Sequence, residues 1–197
     1  MANIGALILA AGESSRLGRP KQLIQFRGKS LIRRIVDAAD EAGCSPIAVV
    51  IGSDGKKMAP ELERTSAATV ENENWRKGIG TSIRAGMQSF VERGRDLDAV
   101  IVLVCDQPLV EKELIRQLIA RYGETGKTII ASSYSGTLGV PALFDRSHFE
   151  ELLTLPDDSG AKSIILSRRE YVVEFPFPQG NLDIDTLADY ERLIAQA

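Results

Sequence analysis

The sequence predicts an α/β protein with a doubly wound, mostly parallel sheet. Short apolar runs alternate with helical patterns along the chain, and some of these runs, such as AVIVLVC at 99–105, are apolar throughout. Such runs are typical of strands buried on both faces, and strands that are each followed by a helix form parallel sheets covered by helices. No linker or repeat divides the chain, so we expect one domain over residues 1–197.

The first half of the chain shows the alternation most clearly. We expect strands at 4–10, 47–52, 67–72 and 98–106, with helices at 30–43, 57–64 and 79–93. In the first helix, Leu31, Ile32, Ile35 and Val36 fall on one face, which is the pattern of an amphipathic helix packed on a sheet.

The last third is expected to be less regular. A helix is predicted from 111 to a stop at Gly123, followed by short strands at 128–132, 140–144, 171–175 and 181–185 and by helices around 147–154, 160–168 and 186–196. The segment SGTLGVP at 135–141 is rich in glycine and proline, so we expect this part of the chain to include an antiparallel strand.

Composition excludes several function classes. The formal net charge of -3 argues against a nucleic-acid partner, which requires a large basic surface. The apolar runs have the length of buried strands and are too short to cross a bilayer. Cys44 and Cys105 form no metal-ligand spacing, so we expect reduced thiols in a cytoplasmic protein. His148 is the single histidine and is expected on the solvent side of a surface helix, which disfavours a Ser-His-Asp or Cys-His system.

The loop LAAGESSRLGRPKQL, at 9–23, follows the first strand. Gly12 and Gly18 would let the backbone approach a ligand, while Arg16 and Lys21 could form charge-assisted hydrogen bonds with phosphate oxygens. The loop matches neither G-x-x-x-x-G-K-[ST] nor G-x-G-x-x-G. The alternative is an ordinary connection with a serine cap and solvated basic residues, but the position at the carboxyl end of a strand favours a phosphate site.

Carboxylates in two places could hold a metal ion. Asp106 directly follows a buried apolar strand, and Mg²⁺ prefers one or two carboxylates completed by phosphate oxygens and water. Asp183 and Asp185 alternate with Ile184 and would face the same way on a strand. The alternative for this pair is a turn in which Asp185 or Thr186 caps the final helix.

The opening loop resembles the signature loop of the MobA-like nucleotidyltransferases. The resemblance is closest to their molybdenum cofactor cytidylyltransferase branch and extends along most of the chain. It includes NWRKGIGTSIRAG (74–86), VCDQPLV (104–110), GVPALF (139–144), SGAKSIIL (159–166) and DIDTLADY (183–190). Leu187 and Ala188 depart from it, because family members often have Pro-Glu at these positions.

The resemblance implies a Rossmann-like nucleotidyltransferase fold and a role for each matching residue. Arg16 and Lys21 would hold the triphosphate, and Asp106 would bind Mg²⁺ together with Asp185, supported by Asp183. For Ser82 a helix cap is an equal alternative, and Trp75, the single tryptophan, would either flank the site or fill a gap in the core. The residues implied to lie beside the base and ribose are Leu9, Ala10, Ala11, Gly12, Gly80 and Ser82.

The reaction implied is nucleotidyl transfer: an acceptor phosphate attacks the α-phosphorus of a nucleoside triphosphate and pyrophosphate leaves. A phosphate nucleophile is already anionic near neutral pH, so no general base is needed. Ala11 and Pro20 give the loop its cytidylyl-like form, which favours CTP as donor and the phosphate of molybdopterin as acceptor. A molybdenum enzyme that receives the product is a further partner to test.

Other functions remain as alternatives. Within the same chemistry these are transfer to a sugar or polyol phosphate and guanylyl transfer to the molybdenum cofactor. An accessory protein would bind the cofactor or a nucleotide without releasing pyrophosphate. A nicotinamide-binding oxidoreductase is disfavoured by the missing dinucleotide fingerprint.

Overall fold

The computed structural model describes residues 2–12, 18–52, 54–184 and 186–195. Its strands are β1 (Ile4–Ala10), β2 (Gln25–Phe26), β3 (Lys29–Ser30), β4 (Ile47–Ile51), β5 (Ala67–Glu71), β6 (Ala99–Val104), β7 (Ile129–Tyr134), β8 (Thr137–Asp145) and β9 (Val172–Pro176). Its helices are α1 (Leu31–Glu41), α2 (Gly55–Leu62), α3 (Ile79–Glu92), α4 (Lys112–Thr125), α5 (Phe149–Leu153), α6 (Ala161–Ser167) and α7 (Leu187–Ala195).

The large sheet confirms the predicted class. It has seven strands in the order β5-β4-β1-β6-β8-β7-β9, while β2 and β3 form a separate ribbon. β1 pairs in parallel with β4 and β6, and β8 is antiparallel to both of its neighbours, β6 and β7. The sheet is therefore mostly parallel, with its antiparallel strand in the last third of the chain as expected.

The strand order reverses at β1. The chain runs from β1 outward to β4 and β5 and then returns to β6 on the other side of β1, where Leu9 pairs with Val104. Ligands of open α/β sheets bind beyond the carboxyl ends of the strands at such a reversal. The crevice after Ala10 and Val104 is therefore where this fold places a ligand site.

Helices cover both faces of the sheet. Ile8 of β1 packs in the same core cluster as Ile32 of α1, whereas Leu7 shares the opposite cluster with Met87 of α3. A side chain at Gly86 would collide with Leu7, so this glycine allows α3 to lie directly against β1. That close approach brings the first turn of α3 to the edge of the crevice.

Three expectations for the last half of the chain are wrong. α4 continues through Gly123 to Thr125 and ends at Gly126, whose φ of 62° is the left-handed conformation that favours glycine. The strand expected at 181–185 is not formed over its described residues, because a 3-10 turn extends to Asn181. His148 is 5% exposed rather than on the solvent side of a helix.

The position of His148 explains its burial. Its Nε2 lies 2.8 Å from Thr128 Oγ1 and its Nδ1 lies 2.8 Å from Glu151 Oε1. It follows β8, whose last residue Asp145 pairs with Ala99 at the amino end of β6. His148 therefore lies beyond the amino end of β6, at the end of the sheet opposite to the crevice. Among the described residues, no helix combines the length and apolar character needed to span a membrane.

Candidate active site

A cavity of about 180 Å³ lies at the carboxyl ends of β1 and β6. The structure brings together in its wall most of the residues singled out in the sequence for nucleotide or metal binding. These are Leu9, Ala10, Ala11, Gly12, Lys21, Ser82 and Asp106, and they are joined by Gln22, Trp75, Ile79, Val104 and Cys105.

Lys21 and Asp106 form an ion pair in this wall. Lys21 Nζ lies 2.6 Å from Asp106 Oδ2, and the two side chains are 13% and 23% exposed. Lys21 begins a 3-10 turn after Pro20, whereas Asp106 comes just after β6, so the fold joins residues that are far apart in sequence. A fixed cation beside a carboxylate can bind a phosphate and a divalent cation together.

The segment 180–184 is tied to the residues around Asp106. The Ile184 N–H donates to the Asp106 carbonyl at 3.0 Å, and Gln107 Nε2 donates to the Gly180 carbonyl at 2.7 Å. These bonds hold Asp183 near Asp106, although the segment is not a strand. Burial raises the pKa of the Tyr134 phenol, and the negative charges of Asp183 and Asp106 add to this rise.

The donor set around Asp106 suits a hard cation. A carboxylate oxygen at the end of a strand matches the preference of Mg²⁺, which usually takes one or two carboxylates and completes its shell with substrate phosphates and water. Within the part of the chain that the structure describes, no group of three or more His, Cys, Asp or Glu side chains converges. The Asp106 carboxylate itself has the chemistry of a ligand in an Mg²⁺ site that substrate phosphates complete.

The model of one protein family, the MobA-like NTP transferase domain, matches residues 6–172. This chain belongs to the MobA-like NTP transferase family. The match includes most of β1, the whole of β6 and the residues that line the cavity at their carboxyl ends.

Two solved structures are similar to this MobA-like domain over almost its whole length. The structure of Rv0371c from Mycobacterium tuberculosis H37Rv has a TM-score of 0.81 and 28% identity, covering 98% of both chains. A second Rv0371c structure, described as a complex with manganese, has a TM-score of 0.78 and 26% identity over 99% of this chain and 100% of that one.

Two curated proteins are similar in sequence. Nicotine blue oxidoreductase of Paenarthrobacter nicotinovorans is 24% identical over 97% of this chain and 96% of that protein. The bifunctional protein GlmU of Bifidobacterium longum is 28% identical over 64% of this chain, which matches only 28% of the length of GlmU.

Gln22 of the MobA-like domain was not predicted as a site residue. Its side chain is 2% exposed, and Nε2 donates to the carbonyls of Ala10 at 2.8 Å and Gly12 at 3.1 Å. The amide thus fixes the backbone stretch on which the resemblance places the base. No local signal in the sequence distinguished Gln22, because the partners of its amide are backbone carbonyls ten or more residues away.

Ser82 reaches the cavity from inside α3. Gly78, rather than Ser82, occupies the N-cap position of this helix, so the alternative that Ser82 is the helix cap is not what the structure shows. The Ser82 side chain is buried, and its Oγ accepts a hydrogen bond from Asn72 Nδ2 at 2.9 Å. Asn72 was also missed by the sequence reasoning, because nothing near it suggested a ligand.

Gly80 and Trp75 take different positions near the same helix. The Gly80 N–H donates to the Asp157 carbonyl at 2.9 Å, and a side chain at Gly80 would collide with the Pro156 carbonyl. Gly80 thus packs against the 156–159 loop and does not line the cavity. Trp75 does line it, with Arg76 4.5 Å from its ring centroid.

Arg16 and Asp185 lie outside the described residues, so their roles stay predictions. Thr186 caps the final helix, which is one of the alternatives considered for this region. Its Oγ1 accepts from the Asp189 N–H at 3.2 Å, and Asp189 Oδ2 accepts from the Thr186 N–H at 2.8 Å, which forms a reciprocal capping box.

Cys105 lines the cavity beside Asp106 without being suited to nucleophilic chemistry. Burial raises the pKa of its thiol far above the usual range, and the negative charge of Asp106 raises it further. Only the thiolate is a strong nucleophile. Cys105 is therefore a packing residue of the cavity wall.

Proposed function

We propose that this MobA-like domain transfers CMP from CTP to a phosphate-bearing acceptor and releases pyrophosphate. The observation that carries the proposal is the Lys21–Asp106 ion pair in a cavity lined by residues 9–12. A cation and a carboxylate at the strand-order reversal of an α/β sheet are the parts that a magnesium triphosphate requires.

The residues would act by positioning and by charge. Lys21, together with Arg16, would neutralise the triphosphate as negative charge shifts toward the leaving pyrophosphate. Asp106 and Asp185 would hold Mg²⁺, which supplies positive charge against the repulsion between the two reacting phosphates. Because the acceptor phosphate is already anionic, the chain needs no general base, and the remote position of His148 is compatible with this chemistry.

The choice of CTP and molybdopterin rests on the resemblance in the opening loop. Ala11 lines the cavity, and Pro20 directly precedes Lys21, so both residues of the cytidylyl-like form are close to the site. Molybdopterin is the favoured acceptor because the motifs of the last third of the chain match the cytidylyltransferase branch. A sugar or polyol phosphate is the next acceptor to test, and GTP is the next donor.

The deciding experiment is a pyrophosphate-release assay with four nucleoside triphosphates and several phosphate acceptors. We expect release from CTP with molybdopterin and Mg²⁺, and none from Asp106→Ala under the same conditions. Manganese should be compared with magnesium, since manganese is the metal named for Rv0371c. Tight CTP binding without release for any acceptor would instead indicate an accessory binding protein.

A second candidate is an oxidation–reduction activity at the same cavity. It is favoured by the similarity to nicotine blue oxidoreductase over 97% of this chain. Oxidation of NADH or NADPH with a reducible dye, independent of any nucleoside triphosphate, would support this candidate. An unchanged absorbance of the reduced nicotinamide would contradict it.

A further inference from the structure

Asn72 is a buried amide that joins the end of β5 to the first turn of α3. Its side chain is 6% exposed and forms three hydrogen bonds, each 2.9 Å long. Asn72 Oδ1 accepts from the Asn74 N–H, while Nδ2 donates to Thr81 Oγ1 and Ser82 Oγ.

The direction of these bonds follows from the backbone. The Asn74 N–H can only donate, so the amide atom that faces it must be the oxygen. The amide nitrogen then faces Thr81 and Ser82, and both hydroxyl oxygens must accept. Thr81 directs its own proton to the Gly78 carbonyl, 2.7 Å away.

Ser82 differs from Thr81 in what lies around it. Ser82 lines the cavity, and over residues 2–12, 18–52, 54–184 and 186–195 its hydroxyl donates no hydrogen bond. Because the hydroxyl oxygen already accepts from Asn72, its proton is directed away from the amide. The cavity wall therefore presents a hydrogen-bond donor at Ser82.

We propose that Asn72 is a positioning residue that fixes Ser82 as a donor and thereby selects a nucleobase edge that presents an acceptor. The inference rests on the proposed function, since it takes the ligand to be a nucleotide. On the Watson–Crick edge, cytosine offers O2 and N3 as acceptors beside one donor, whereas guanine offers O6 as its one acceptor beside the N1 and N2 donors. A fixed donor at Ser82 thus meets an acceptor at two of the three Watson–Crick positions of cytosine.

The test separates base recognition from phosphate binding. The dissociation constants of CTP and of inorganic tripolyphosphate are measured by calorimetry with Mg²⁺, and their ratio is compared between variants. Asn72→Asp keeps an acceptor for the Asn74 N–H but replaces the donor to Ser82 with an acceptor, so the Ser82 proton turns toward the new carboxylate. Thr81→Val is the matched control. It removes the hydrogen bond from Asn72 Nδ2 to Thr81 Oγ1, and Thr81 is buried and does not line the cavity.

We expect the preference for CTP over tripolyphosphate to fall about tenfold in Asn72→Asp and in Ser82→Ala, and to stay unchanged in Thr81→Val. In the Ser82→Ala background, Asn72→Asp should cause no further fall, because both changes remove one interaction. If Asn72→Asp does not fold, Asn72→Ala replaces it in the same cycle, with a smaller loss that should also vanish in the Ser82→Ala background.

Two results overturn the inference. One is an additive loss in the Asn72 and Ser82 double variant, and the other is a loss in Thr81→Val equal to that in Asn72→Asp. Either result in a parent protein that prefers CTP leaves the proposed function intact. A parent that binds CTP no more tightly than tripolyphosphate contradicts the proposed cytidylyl transfer itself.

Discussion

Lys21 Nζ lies 2.6 Å from Asp106 Oδ2, so the cation of the opening loop and the carboxylate at the end of β6 neutralise each other across the cavity. A triphosphate with its metal ion would give each partner a new counter-charge: phosphate oxygens for Lys21 and the metal for Asp106. Binding therefore gives each charge a new counter-charge and does not require either charge to be desolvated alone.

Asp106→Asn should abolish metal-dependent pyrophosphate release while the protein stays folded. The change removes the charge that holds the metal, and we expect a loss of about two orders of magnitude or more in kcat. The partly exposed side chain at a strand end makes a small contribution to the core, so the thermal midpoint should change little. Asp37→Asn is the control, because Asp37 of α1 forms ion pairs with Lys29 of β3 and Arg33 of α1 and does not line the cavity. Near-normal Mg²⁺-dependent turnover would contradict the metal assignment.

Lys21→Ala should weaken CTP binding much more than cytidine binding. The lost charge-assisted hydrogen bonds contribute about 1.5 to 3 kcal/mol, and only the triphosphate forms them. Calorimetric titration of the two ligands measures the difference, with Lys29→Ala as a control that leaves the cavity intact. Arg16→Ala should show the same selectivity. Equal CTP affinities in the parent, Lys21→Ala and Arg16→Ala would mean that the loop is only a connection.

Gln107→Leu should raise the Mg²⁺ concentration needed for half-maximal activity. The change removes the bond that ties Gly180 to the Asp106 region and leaves the Gly180 carbonyl without this donor, which costs about 1 to 3 kcal/mol of unfolding free energy. Magnesium titrations and urea unfolding measure the two effects separately. Gln179→Leu, at an exposed neighbouring position, serves as the control. If the magnesium requirement is the same in both variants, the Gln107 tether has no role in placing the carboxylates.

CTP with Mg²⁺ should raise the melting temperature more than GTP or ATP does. A ligand that binds the folded state alone stabilises it by about 2.7 kcal/mol at a hundredfold excess over Kd, which is enough to rank the bases. Differential scanning fluorimetry at equal ligand concentrations gives the order. A larger shift with GTP would move the assignment to guanylyl transfer.

The buried Cys44 thiol should make stability fall at alkaline pH. Burial raises its pKa from near 9 to about 12, with a smaller contribution from Asp40. The unfolded chain therefore loses the thiol proton at a lower pH than the folded protein does, so the stabilising contribution is complete below pH 9 and is lost as the pH rises toward 12. Urea unfolding at several pH values between these limits should show a flatter dependence for Cys44→Ala. An identical pH dependence in both proteins would contradict the assignment to this thiol.

Local patterns in the sequence predicted much of the fold and part of the site. The apolar runs predicted β1, β4 and β6, because a strand buried on both faces leaves an uninterrupted apolar signal. Because parallel strands run in one direction, the sequence alone predicted that the loop after β1 and Asp106 after β6 lie at the same end of the sheet. Lys21 and Asp106 indeed share one cavity, with Ser82 added by the resemblance.

Partners distant in sequence decided the rest. Gln22, Asn72 and Gln107 carry no local signal, because their roles depend on which backbone atoms the folded chain brings within hydrogen-bond distance. The helical pattern around His148 did not predict its burial. His148 is buried because β8 runs antiparallel to β6 and carries the chain to the end of the sheet opposite to the cavity. The sequence by itself determined the central strands of the first half and the end of the sheet where the site lies, since an apolar run and the helix that follows it are local patterns. Only the tertiary structure decided which polar groups pair across the cavity, because a hydrogen bond depends on the position of both partners.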